Sequence, residues 1–110
     1  MKAYTDIEQS QKLTEILPKE TADFHFKYYS VLDGWCNIPH FGTALHIKDL
    51  PCWSLAALIE ALPKIYLLKP ILDLEENSIL YSGTNLDTRA DNIIDACVDM
   101  IVKLRELEIL

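Results

Sequence analysis

Residues 53–82 read WSLAALIEALPKIYLLKPILDLEENSILYS, and the hydrophobic period changes inside this stretch. Leu55, Leu58, Ile59 and Leu62 recur at helical spacing, with the strong helix formers Ala56, Ala57 and Ala61 between them. The spacing predicts a helix over 53–62. Pro63 stops it, because the residue before a proline is pushed out of the α region. Two β-type runs follow, at 66–74 and 78–82, around the polar Glu75-Glu76-Asn77, and they predict a hairpin. Pro70 has no N–H for a ladder, so it marks the first strand as an edge or bends it. A helix followed by a hairpin, rather than by regular β-α alternation, points to an α+β fold.

Toward the C-terminus, Ile93, Ile94, Cys97, Val98, Ile101, Leu104 and Leu107 repeat at helical spacing and predict a helix over 90–107. Toward the N-terminus, Leu13, Ile16 and Leu17 share a face of a helix expected over 6–17. Thr5 and Glu8 stand at capping-box spacing there, and Pro18 ends it. Residues 24–32 read as one strand, with Phe24, Phe26, Tyr28 and Leu32 on one face and His25, Lys27 and Tyr29 toward water, ending at Asp33-Gly34. Residues 35–51 read as a long loop with a short strand at 43–47. The expected order is α-β-α-β-β-α: three helices against a small, mainly antiparallel sheet of three or four strands, in a single domain over 1–110. LTEILPK at 13–19 echoes LIEALPK at 58–64, either as a common helix stop or as two related helix–strand units.

The chain carries 17 acidic and 10 basic residues, a net charge of −7, and its Lys and Arg are scattered singly. Nucleic acid and anionic membranes both require clustered cations, so neither is an expected partner. The first residues lack the apolar run of a secretory signal, and Cys36, Cys52 and Cys97 form an odd set, which fits reduced thiols in the cytoplasm.

Two side-chain sets could carry chemistry. Cys36, His40, His46 and Cys52, spaced C-x3-H-x5-H-x5-C, contain the ligand types of a tetrahedral zinc shell, without the tight knuckles usual in structural sites. Cys52 also stands just before the second helix, where helix amides favour a thiolate. The plainer reading is two loop histidines and two partly buried thiols. Asp87, Asp91, Asp95 and Asp99 recur every four residues and on a helix would form one acidic stripe, with Asp99 able to pair with Lys103. That stripe is a solvated face or a docking face for a basic partner. Tyr28, Tyr29, Trp35, Phe41 and Trp53 surround the loop as core, pocket or interface residues. Glycine-rich phosphate loops and the common nucleophile and zincin motifs are absent.

YTDIEQSQKLTEILP at 4–18, PCWSLAALIEALP at 51–63 and DACVDMIVKLRE at 95–106 together resemble a family of short uncharacterised proteins from gut bacteria, many of them carried by phage-like or other mobile elements. The resemblance spans the three helices and not the loop between Cys36 and Cys52. It implies a small cytoplasmic protein and assigns no activity, cofactor or catalytic residue to any position. The leading expectation is a non-catalytic binding or protein-interaction module that associates with itself or with a host protein. The alternative is a metal-stabilised or thiol-dependent enzyme using the 36–52 loop.

Overall fold

The computed structural model describes residues 2–43 and 46–110. It is an α+β structure in which three helices combine with three small antiparallel sheets rather than one. Helix α1 spans Ile7–Thr14. Strands β1 (Phe24–Phe26), β2 (Tyr28–Tyr29), β3 (Gly34–Trp35), β4 (His40–Phe41) and β5 (Leu50–Cys52) follow. Then come α2 (Leu55–Ala61), β6 (Ile71–Asp73), β7 (Ser78–Leu80), β8 (Asp87–Arg89) and α3 (Ile93–Glu106). The element order differs from the expected α-β-α-β-β-α: among the described residues, five short strands stand between α1 and α2 and three between α2 and α3, because the expected strand over 24–32 and the 35–51 loop divide into short pairs. No helix among the described residues is long and apolar enough to cross a membrane.

Helix α1 starts one residue later than its spacing suggests. Asp6 is the N-cap, and Asp6 and Gln9 exchange the reciprocal capping-box bonds expected of Thr5 and Glu8. Thr5 is buried instead. Its hydroxyl accepts from the Trp53 N–H at 3.1 Å and lies 2.8 Å from the Ser10 hydroxyl, tying the N-terminal segment to the start of α2.

The strand expected over 24–32 breaks at Lys27. Beyond that point the Tyr28 N–H donates to the Asp49 carboxylate at 3.0 Å, and Cys36 N–H donates to the Lys27 carbonyl at 2.8 Å. Pairing therefore changes partner. Strand β1 lies in the centre of the sheet β4-β1-β5, whereas β2 pairs with β3 in a separate hairpin. Leu32, expected on the buried face, sits exposed in the 30–33 turn, where Asp33 takes φ 45° just before Gly34. The strand expected at 43–47 includes residues 44 and 45, which lie outside the described residues. The strand formed nearby is β4.

Alternation fixes the faces of the first sheet. Phe24 pairs with Phe41 and Cys52, and Phe26 with Leu50, while His25 pairs with His40 and Pro51. Phe26, Leu50 and Cys52 pack with Tyr4, Ile7, Phe24 and Trp35 in one small cluster, which α1 helps cover. His25 points to the other face and is buried, not turned to water as its place in the strand suggested.

The larger core joins Leu13, Leu17, Trp53, Leu58, Leu62, Ile79, Tyr81, Ile94, Cys97, Met100, Ile101 and Leu104. The sheet β6-β7-β8 lies against α3, and the Thr88 hydroxyl donates to the Ala96 carbonyl at 2.7 Å. Strand β6 pairs only with β7 and follows Pro70, so the edge position anticipated from that proline is the one found. The rest of the expected 66–74 strand is a tight turn, in which Ile65 and Leu68 exchange both backbone hydrogen bonds around Tyr66 and Leu67. The two Leu-Pro-Lys stops share buried leucines, yet the first leads into a central strand and the second into an edge strand. They are not copies of one unit.

Candidate functional site

The four Cys and His residues of the loop are not brought together. Cys52 lies on the Phe24 face of the first sheet and His40 on the His25 face, because adjacent register positions project to opposite sides. His46 belongs to the turn before β5, and Cys36 follows β3 half-buried. Among the described residues, no three His, Cys, Asp or Glu side chains are placed to hold a metal ion. Cys52 also lacks the environment of a thiolate. Burial pushes its thiol upward, and so does the charge of Asp23. Hydrogen bonds from Thr5 and Ser10 only partly offset this. The N-cap of α2 is Ser54, two residues farther on, and the Ala57 amide bonds its hydroxyl rather than the Cys52 sulfur.

The acidic stripe is also broken. Asp87 is in β8, and Asp91 precedes the Asn92 N-cap, which leaves only Asp95 and Asp99 on α3. Asp95 is bound by Lys2, Gln9 and Asn92. Burial alone would raise its pKa, but these partners outweigh burial and lower it. Asp99 is raised, by burial first and then by the charge of Asp95, with Lys12 opposing. No ion pair joins Asp99 to Lys103 among the described residues. The salt bridges there are Lys2–Asp6, Lys2–Asp95 and Arg89–Glu76. A concavity of about 510 Å³ between α1 and α3 mixes Asp6, Glu8, Asp99 and Glu106 with Lys12 and Lys103 over a small Val98–Val102 floor.

The more differentiated surface lies where the long loop was expected. Two adjoining clefts, of about 510 and 460 Å³, share Tyr28, Lys48 and Asp49. The first runs between α1 and the residues before β5. Tyr28, Trp35, Ile47, Leu50 and Pro51 line it together with Gln11, Thr14 and Glu15. The second adds Lys27, Ser30 and His46.

A hydrogen-bonded frame holds this surface. The Trp35 indole N–H donates to the Lys48 carbonyl at 2.7 Å, and the Tyr28 hydroxyl donates to Asp33 at 2.5 Å. Asp49 accepts from the N–H groups of Tyr28 and His46. Burial pulls Asp49 upward, yet these two backbone bonds, with smaller contributions from His25 and His46, hold it below the usual carboxylate range. The Lys48 N–H donates to His46 Nδ1 at 3.2 Å, which leaves the imidazole proton on Nε2. The Lys48 ammonium stands over the Tyr28 ring, 5.0 Å from its centroid, and Tyr28 and Trp35 meet edge to face at 6.5 Å.

Of the aromatic residues around the loop, Trp53 is core, with its indole N–H on the Thr21 hydroxyl. Phe41 packs edge-on against Phe24 at the exposed end of a Tyr4–Phe24–Phe41 row. His25 and His40 stack at 5.8 Å. His25 Nδ1 lies 2.9 Å from the Gly42 carbonyl oxygen, whereas its Nε2 is buried with no partner among the described residues. Lys27, Lys48 and Asp49 carried no signal in the chain. The two lysines are isolated in sequence and meet only because the strand breaks at Lys27 and the 46–49 turn folds back onto Tyr28. Comparison of the chain with protein-family models, curated proteins and solved structures finds no match.

Proposed function

We propose that the protein is a small non-catalytic module that works by protein–protein contact, first of all with a second copy of itself, in the cytoplasm. The observation that carries this reading is the set of bare apolar side chains on residues 29–47. Val31 is 95% exposed and Ile47 96%, and Tyr29, Leu32, Ile38 and Phe41 are exposed with them. Single exposed apolar residues are ordinary, whereas a series on one short segment outside the main core is typical of an interaction surface. The resemblance of the helical stretches to mobile-element proteins without assigned activity fits the same reading.

Light scattering over a wide concentration range tests it. A dimer or higher oligomer is expected, and Val31→Asp with Leu32→Asp should release the monomer without lowering the melting temperature. A native chain that stays monomeric at high concentration overturns the self-association reading.

A further inference from the structure

Lys27, Lys48, His46 and Ser30 line one cleft, and Asp49 is the only carboxylate residue among the described residues that line it. Both oxygens of that carboxylate already accept backbone N–H groups, and neither lysine is in an ion pair among the described residues. The cleft therefore holds more donors than acceptors: two ammonium groups, the Nε2–H of His46 and a hydroxyl. In a chain of net charge −7 such a local surplus is unusual. Lys48 is also fixed rather than free. Its carbonyl is held by the Trp35 indole, its N–H by His46, and its ammonium over Tyr28, at the boundary between the two clefts.

The adjoining cleft is more apolar. Trp35, Ile47, Leu50 and Pro51 give it apolar walls, with Gln11, Thr14 and Glu15 on the α1 side. Because the Trp35 N–H is already bonded within the protein and the Lys48 ammonium stands over the Tyr28 ring, the Trp35 ring is the aromatic surface this cleft offers a ligand. We propose that the two clefts form one binding site for a small organic anion, a ring-bearing phosphate or carboxylate. Its ring lies against Trp35, Ile47 and Pro51, and its anionic group lies among Lys27, Lys48, His46 and Ser30. A nucleic-acid strand does not fit this description, since two lysines cannot offset repeated phosphates against the overall negative charge. The site goes beyond the association reading, and of its residues only Ile47 is also among the bare apolar side chains of that reading.

Trp53 is fully buried, so Trp35 is the tryptophan a ligand reaches, and its fluorescence reports binding. The probes are adenosine monophosphate and benzoate, with adenosine and inorganic phosphate as fragments that each carry half of the recognised chemistry. A saturable Trp35 response is expected for adenosine monophosphate or benzoate, with each fragment weaker by about tenfold or more. The exposed Lys27 side chain makes no hydrogen bond among the described residues, so Lys27→Gln should leave the melting temperature unchanged while weakening the anionic probes about tenfold and leaving adenosine unaffected. Ser30→Ala together with Lys27→Gln should weaken them further. The proposal is overturned if neither anionic probe saturates below about 10 mM, or if Lys27→Gln leaves their affinity intact. Val31 and Leu32 are untouched in these variants, so failure here and failure of self-association are read separately.

Discussion

Asp23, at the entrance to the first sheet, accepts hydrogen bonds from both the backbone N–H and the hydroxyl of Ser54, the N-cap of α2. The same hydroxyl accepts from the Ala57 N–H at 3.3 Å, so the carboxylate orients the cap that closes the first turn of α2. One side chain thereby couples β1 to the helix that enters the main core. Asp23→Ala removes two charge-assisted bonds and should cost about 1–3 kcal/mol. Ser54→Ala alone should cost about 1 kcal/mol. The two losses should be less than additive, since they remove one network. Urea denaturation of the two variants and the double variant measures this; full additivity would show that Asp23 acts elsewhere.

The Lys2 ammonium lies 2.7 Å from Asp95 and 3.0 Å from Asp6, joining the first turn of α3 to the N-cap of α1. Burial by itself would lower the Lys2 pKa, but its two carboxylates outweigh that and raise it, consistent in direction with the lowered Asp95. A carboxylate with a lowered folded pKa contributes stability above its unfolded value, and the contribution is lost as pH falls through the folded pKa. Lys2→Met should therefore destabilise by about 0.5–1 kcal/mol at pH 7. The gap to the native protein should close in acid, below the ordinary Asp range. Thermal melts at pH 7 and in acid distinguish this from a loss of packing, which would persist at both.

Helices were legible in the chain because their apolar residues recur at helical spacing and prolines follow the first two. α3 deviates from its expected bounds only at the ends, and Leu13, Leu58, Ile94 and Ile101 are core as their spacing implied. The strands were less legible because each is two or three residues long, too short for a period of two to declare itself. Strand β8 reads Asp-Thr-Arg and turns only Thr88 inward, so its Asp87 passed for part of a helical stripe. The break at Lys27 depends on Asp49 capturing the Tyr28 N–H across 21 residues, which no local pattern encodes. For the same reason the zinc-like spacing of Cys36, His40, His46 and Cys52 was misleading: linear spacing says nothing about which face of a sheet each residue takes. Within the 35–51 loop the ordered contacts are instead those of Asp49 with the Tyr28 and His46 N–H groups and of Trp35 with the Lys48 carbonyl, none of which the Cys and His spacing marks.

Tyr66 and Leu67 occupy the centre of a two-residue hairpin turn with φ 53° and 66°, and they are 78% and 89% exposed. Consecutive left-handed residues suit Asn-Gly, whereas bulky side chains there are strained by about 1–2 kcal/mol each. The turn is anchored nearby, as the Lys69 ammonium donates to the Leu62 carbonyl at 2.7 Å and caps α2. Tyr66→Asn with Leu67→Gly should stabilise the fold by roughly 1–3 kcal/mol, because no buried contact is lost. Chemical denaturation checks the sign. A destabilised variant would show that these side chains make contacts their exposure does not reveal.

The three thiols should separate cleanly in reactivity. Cys97 is fully buried in α3, and burial pushes its thiol up to about 12, while Cys52 is also buried and raised. Only Cys36 is partly accessible. Disulfide-exchange reagents attack through the thiolate, so buried thiols react at the rate at which the fold opens. Titration with an aromatic disulfide at neutral pH should give one fast equivalent, which Cys36→Ser removes, and two more only in denaturant. Fast modification of Cys52 in the folded protein would contradict its placement beneath Thr5 and reopen it as a nucleophile.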